Sequence, residues 1–129
     1  MTAYLLDTHA ALWWWIDSPR LGTPARMLIE ETADRICVSV ASIWEIAIKS
    51  QAGRLPELPA FQAEYPGLIE RSGFDLVAIT DRHALAAAYL DGNHRDPFDR
   101  LIAAQALIED MIVITRDREI AAFGCKVLW

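Results

Sequence analysis

Ala3-Tyr4-Leu5-Leu6-Asp7-Thr8-His9-Ala10-Ala11-Leu12-Trp13-Trp14-Trp15-Ile16 opens the chain and changes its periodicity at one acid. The run before Asp7 is short and wholly apolar, which suits a strand buried on both faces. From His9 to Ile16 the pattern is helical. The same switch recurs downstream. Strands are predicted at Tyr4–Leu6, Ile36–Val40, Phe74–Ile79, Ile112–Thr115 and Cys125–Leu128. Helical patterns cover His9–Ile16, Pro24–Ala33, Ile43–Ala52, Ala60–Arg71, Arg82–Leu90, Pro97–Glu109 and Arg118–Ala122. Thr23 is the expected N-cap before Pro24, and Gly53 the expected terminator after Ala52. This alternation predicts an α/β fold with a central, mainly parallel five-stranded sheet flanked by helices. The 129 residues suit one domain, 1–129. Gly53–Pro66, with Pro56, Pro59 and Pro66, reads as a surface loop leading into a short helix.

Four acids stand at the edges of these apolar segments. Asp7 follows the first strand and Asp117 the fourth. Glu45 is embedded in Ile43-Trp44-Glu45-Ile46-Ala47-Ile48. Asp99 opens the helix of Asp96-Pro97-Phe98-Asp99-Arg100-Leu101-Ile102. In a parallel α/β sheet, strand ends and the following helix starts share one edge, where ligands bind. The four carboxylates can therefore meet there and offer oxygen ligands to a hard cation. Each acid singly also suits a helix cap. Ser42-x-x-Glu45 matches a capping box, and Asp96 is an expected cap with a supporting role beside the cluster open to it.

The remaining signals narrow the class. The formal charge of −6 argues against a protein that holds nucleic acid by bulk basic charge. Without the four singled-out acids the chain stands at −2, so two divalent cations would neutralise the set. Mean hydropathy is +0.18, yet no run reaches the roughly 18 apolar residues of a membrane span. The start of the chain does not read as a signal peptide. Cys37 and Cys125 lack metal-ligand spacing and read as buried thiols. A cytoplasmic protein is expected. Of the histidines, His9 and His94 flank the motifs, and each of the three, with His83, is expected to be solvated or packed. Lys49, four residues beyond Glu45, can pair with it. Arg95, Arg100 and Arg116 adjoin the acidic motifs and are candidates for phosphate contacts. Trp13, Trp14 and Trp15 fan over roughly 200° of a helix and cannot all enter one core. At least one is expected at the rim, as a partner-interface candidate.

Leu5-Leu6-Asp7-Thr8-His9, Ser42-Ile43-Trp44-Glu45-Ile46-Ala47-Ile48-Lys49, Asp96-Pro97-Phe98-Asp99-Arg100-Leu101-Ile102-Ala103-Ala104-Gln105-Ala106 and Ile114-Thr115-Arg116-Asp117, in this order and spacing, resemble the PIN-domain ribonucleases. Within them the resemblance is to the VapC-type toxins of type II toxin–antitoxin pairs. It spans nearly the whole chain. It implies a PIN-like three-layer fold and a metal-dependent endoribonuclease that cleaves RNA phosphodiesters with a metal-bound water. It also implies Mg²⁺ or Mn²⁺ held by Asp7, Glu45, Asp99 and Asp117, with the Thr115 hydroxyl beside them. The implied partners are RNA, a small antitoxin protein and a second copy of the chain. Two rivals share the α/β plan: a receiver-like regulatory module, and a PIN domain without activity. A receiver needs its key acid at the end of the third strand and an adjacent acidic pair after the first. Val77-Ala78-Ile79-Thr80-Asp81 and Leu6-Asp7-Thr8 supply neither.

Overall fold

The computed structural model describes residues 2–129. Five strands form one sheet: β1 (Ala3–Leu6), β2 (Arg35–Ser39), β3 (Asp75–Val77), β4 (Ile112–Ile114) and β5 (Val127–Leu128). Their order is β3-β2-β1-β4-β5, and every pairing is parallel. Seven helices connect them: α1 (Thr8–Trp15), α2 (Thr23–Glu31), α3 (Val40–Gln51), α4 (Phe61–Ser72), α5 (Asp81–Tyr89), α6 (Pro97–Glu109) and α7 (Arg118–Ala122). A receiver-type sheet has the order 2-1-3-4-5, so the topology removes that rival.

Side chains alternate across the strands and build two cores. Leu6, Val38 and Ile114, in register with one another, join Ala10, Leu12, Trp13, Ile46 and Phe61 on one face. Leu5, Cys37 and Val113, also in register, join Ile102, Ala106, Met111 and Ile120 on the other. Both faces of the inner strands are covered, which makes three layers and explains the unbroken apolar runs. Toward the edges the strands shorten. β3 keeps three of the six residues expected, with Leu76 half exposed, and β5 keeps two. An edge strand pairs on one side only, and short edges resist further pairing.

Several local expectations are corrected. Gly22, not Thr23, is the N-cap of α2, so Thr23 and Pro24 lie within its first turn. Helix α3 begins at Val40, three residues early, because Ser39 Oγ accepts from the Ala41 N–H. Ser42 is therefore no cap. It lies buried inside α3, with its hydroxyl 3.1 Å from Thr8 Oγ1. The loop after Gly53 ends at Ala60, and α4 runs through Pro66. Leu58 anchors that loop: it is buried, and its carbonyl accepts from Ser50 Oγ at 2.6 Å. Gly53 does close α3, at φ +73°.

The tryptophans fan out as the helix requires, but none is free. Trp13 is buried edge-on to Trp129, with ring centres 5.8 Å apart. Trp14 packs on Phe74. Trp15 lies among Phe61, Tyr65 and Phe74, and its Nε1 donates to Ser72 Oγ at 2.7 Å. Trp13 is buried in the larger core, while Trp14 and Trp15 pack against it only partly buried, at the rim expected of such a fan. The exposed indole is Trp44 on α3, 60% accessible and edge-on to Phe98.

Candidate metal centre

The chain runs from β1 outward to β2 and β3, then returns to place β4 on the other side of β1. At the carboxyl ends of β1 and β4 the following helices part to opposite faces. Helix α1 joins the core that contains Leu6, and α7 joins the core that contains Leu5. Such a reversal leaves a crevice. Asp7 stands at the end of β1 and Asp117 two residues beyond Thr115 at the end of β4. Glu45 lies in the second turn of α3, and Asp99 in the first turn of α6. Helix α6 runs back along the sheet before β4, so its start also reaches this edge.

Each acid is held by different atoms. Asp7 caps α1 by accepting from the Ala10 N–H at 2.8 Å through Oδ1. Its Oδ2 accepts from the Thr115 hydroxyl at 2.5 Å. Thr115 Oγ1 in turn accepts from the Asp117 N–H at 2.9 Å, so one buried hydroxyl ties the ends of β1 and β4 together. Asp117 caps α7 by accepting from the Glu119 N–H. Asp99 Oδ2 and His94 Nε2 are 2.8 Å apart. Glu45 Oε2 pairs with Lys49 Nζ at 3.2 Å. The other carboxylate oxygen, Glu45 Oε1, is buried without a hydrogen-bond partner among the described residues.

The charges of these groups act on one another. Burial pushes the Asp7 carboxyl up to about 6, with the charges of Asp117 and Glu45 adding to the rise. Burial likewise pushes Asp99 up to about 6, against its bond to His94 and with help from Asp96, Asp117 and Glu45. His94 is raised, first by its hydrogen bond to Asp99 and further by the nearby acids. Each acid thus makes its neighbours harder to ionise, which an added cation would reverse. Ligand atoms of His94, Asp99 and Asp117 lie within 4.8 Å of one another.

Capping and clustering turn out to coexist. Asp7 and Asp117 are caps and also face the crevice edge. Asp96 takes the cap of α6, accepting from Phe98 and Asp99 N–H groups, which leaves the Asp99 side chain to the cluster. Two neighbouring residues escaped the sequence reading as members of this network. His94 bonds Asp99, and its Nδ1 also contacts Glu119 Oε2. The signal for His94 was its place five residues before Asp99; Glu119 offered none beyond its position in the first turn of α7.

The arginines separate. Arg100 is not available to a substrate. Its guanidinium donates to the carbonyls of Ala87, Leu90 and His94, closing α5 and fixing the loop that carries His94, with Phe123 under its plane. Arg116 is exposed and lies over the Trp13 ring. His83 is a packed histidine: its Nδ1 accepts from the Thr80 N–H within the capping box of α5.

Comparison with known proteins agrees with this architecture. The PIN domain family matches residues 4–124. The chain belongs to the PIN-domain family. It is 33% identical over 121 residues to Ribonuclease VapC22 of Mycobacterium tuberculosis, covering 93% of this chain and 91% of that one. The toxin–antitoxin protein VapBC of Salmonella typhimurium, solved bound to DNA, has a TM-score of 0.72 at 18% identity, covering 99% of this chain and 98% of that one. VapBC2 of Rickettsia felis, bound to a promoter DNA fragment, has a TM-score of 0.68 at 13% identity and 98% coverage of each chain. At such identities the solved structures speak for the PIN fold. Among the described residues no helix is long and apolar enough to cross a membrane.

Proposed function

We propose that this PIN domain is a metal-dependent endoribonuclease, the toxin of a type II toxin–antitoxin pair. The observation that carries the reading is the acidic crevice, where Asp7 and Asp99 feel the charge of Glu45, one of whose oxygens is buried with no partner among the described residues. A lone pair left so, beside three further acids, fits a hard cation that prefers oxygen ligands. Asp7, Glu45, Asp99 and Asp117 would hold Mg²⁺ or Mn²⁺. A bound divalent cation supplies charge relief for phosphoryl oxygens and acidifies a water for attack on phosphorus.

The chain's own residues do the positioning. Thr115 holds Asp7 through its hydroxyl proton and receives the Asp117 N–H, so both carboxylates keep one spacing. Lys49 fixes Glu45 from one side and leaves its second oxygen to the site. His94 orients Asp99 and, when protonated, balances part of its charge. Intact acids at all four positions favour activity over a silent PIN domain. The relative named as a ribonuclease supports RNA as substrate. The neighbours solved as VapBC complexes support a small antitoxin as partner. With Trp13 buried and Trp14 and Trp15 partly so, the exposed apolar residues Trp44, Ile48, Leu85 and Tyr89 join them as candidates to meet an antitoxin or a second copy.

Purified protein stripped of metal should leave RNA intact, and Mg²⁺ or Mn²⁺ should restore cleavage. Undiminished cleavage in excess chelator would sink the mechanism.

A further inference from the structure

A cavity of about 490 Å³ adjoins the acidic crevice on the β4–α7 side. Asp7 and Asp117 form its inner edge, and His9, Trp13, Arg116 and Trp129 its outer part. The acids bring it against the reacting centre, while the aromatic residues give it a chemistry of its own.

Arg116 is the distinctive group. Its guanidinium carbon stands 4.7 Å from the centre of the Trp13 ring. The side chain is exposed, and among the described residues it makes no ion pair or hydrogen bond. Lys49 is committed to Glu45 and Arg100 to backbone carbonyls; Arg118 also lines the cavity, but among the described residues no aromatic ring lies under it to fix it in place. Arg116 and Asp117 line the same cavity, so the guanidinium stands beside the acidic cluster. The aromatic floor is rigid. Trp13 is 5% exposed and wedged against Trp129. Trp129 in turn packs so closely on Gly22 that a Cβ there would lie 2.7 Å from its indole. An arginine stacked on a fixed ring keeps its edge N–H groups free in a planar fork, the geometry that suits a phosphate.

A polyanion also has reason to need this group. The chain is negative, and its crevice concentrates that charge, so bulk attraction cannot hold RNA. A fixed cation one step from the cluster can. We infer that Arg116 binds the backbone phosphate next to the scissile one, and that the cavity between His9 and Trp129 receives the attached nucleoside by stacking. Aromatic surfaces take an unpaired base in this way, and a paired one is not available. This assignment rests on the ribonuclease reading and adds to it a path for the chain across the β4–α7 loop.

The test uses the full chain with Mg²⁺ and a fluorescent single-stranded RNA oligomer, reading binding by anisotropy and cleavage separately on gels. Arg116→Ala should weaken binding about 10-fold to 100-fold, as for a charge-assisted contact, and raise KM more than it lowers kcat. The logarithmic salt dependence of affinity should lose about 0.7 in slope, one phosphate contact to a single strand. Neutralising one flanking phosphate as a methylphosphonate should weaken the wild type similarly and leave Arg116→Ala little changed. Arg116→Lys should restore only part of the loss, because an ammonium neither stacks flat nor forks. Wild-type binding by Arg116→Ala, full additivity with every methylphosphonate, or complete rescue by Lys would overturn the assignment. Arg116-dependent binding without any cleavage would sink the ribonuclease reading and leave this one standing. A wild type that binds no RNA overturns both.

Discussion

Replacing Asp7 by Asn should stabilise the ion-free protein, although Asp7 is buried, hydrogen-bonded and a helix cap. The Asp7 carboxyl is raised from 3.8 to about 6, chiefly by burial. A shift of about 2 units corresponds to about 3 kcal/mol against the ionised form, an upper bound. Asn keeps most of the rest. Its carbonyl can accept from the Ala10 N–H, and Asn caps helices as well as Asp does. Its amide can donate to Thr115 Oγ1, whose other lone pair still takes the Asp117 N–H, but the buried Thr115 hydroxyl then loses its acceptor, which costs about 1 kcal/mol. A net gain of about 1–2 kcal/mol is therefore expected above neutrality. The sign follows from the raised folded value. Between 3.8 and about 6 the native state binds more protons than the unfolded chain, so this group's contribution to stability falls as pH rises through that window. The advantage of Asp7→Asn should thus be full at pH 8 and vanish near pH 4. Urea denaturation in excess chelator at both pH values measures it. Adding Mg²⁺ should reverse the ranking, since binding to the native wild type at about 100 times Kd contributes about 2.7 kcal/mol. A variant less stable than wild type at pH 8, or a difference independent of pH, would refute the reasoning.

Glu45→Gln should leave ion-free thermal stability nearly unchanged and abolish Mg²⁺-dependent cleavage, because a neutral amide cannot replace an anionic ligand; cleavage at the wild-type rate would remove Glu45 from the centre. The helix cap lies elsewhere, so Ser39→Ala, not a change at Glu45, should cost about 1 kcal/mol in chemical denaturation. Arg100→Ala should lower stability by roughly 2 kcal/mol by freeing the carbonyls of Ala87, Leu90 and His94, and Lys should not rescue it; unchanged stability would return Arg100 to the list of substrate contacts. Trp15→Phe should cost about 1 kcal/mol through the lost bond to Ser72 without altering association with a partner.

Much of this protein was determined by sequence alone. Apolar runs ending in an acid and passing into a 3.6-residue period specify strand–helix units. Parallel strands buried on both faces leave little alternation, and that is how Leu5 and Leu6, bound for opposite cores, can stand side by side. Asp7, Glu45, Asp99 and Asp117 stand near strand ends and helix starts, which a parallel sheet brings toward one edge. Edge strands were overread because their apolar residues resemble inner ones, while pairing on one side supports fewer residues.

Tertiary structure decided what depends on neighbours distant in sequence. Strand order, not strand content, made the crevice between β1 and β4 and separated this fold from a receiver. Ser42 looked like a cap because local spacing cannot show that the strand ends at Ser39; its real partner is Thr8, 34 residues away. Arg100 and Arg116 were indistinguishable as cations beside acids, yet one faces four carbonyls and the other an indole. Trp13 is buried and Trp44 exposed because burial is a property of the surfaces that meet a side chain. Sequence can set the face on which a residue lies, but only the assembled fold supplies what that face meets.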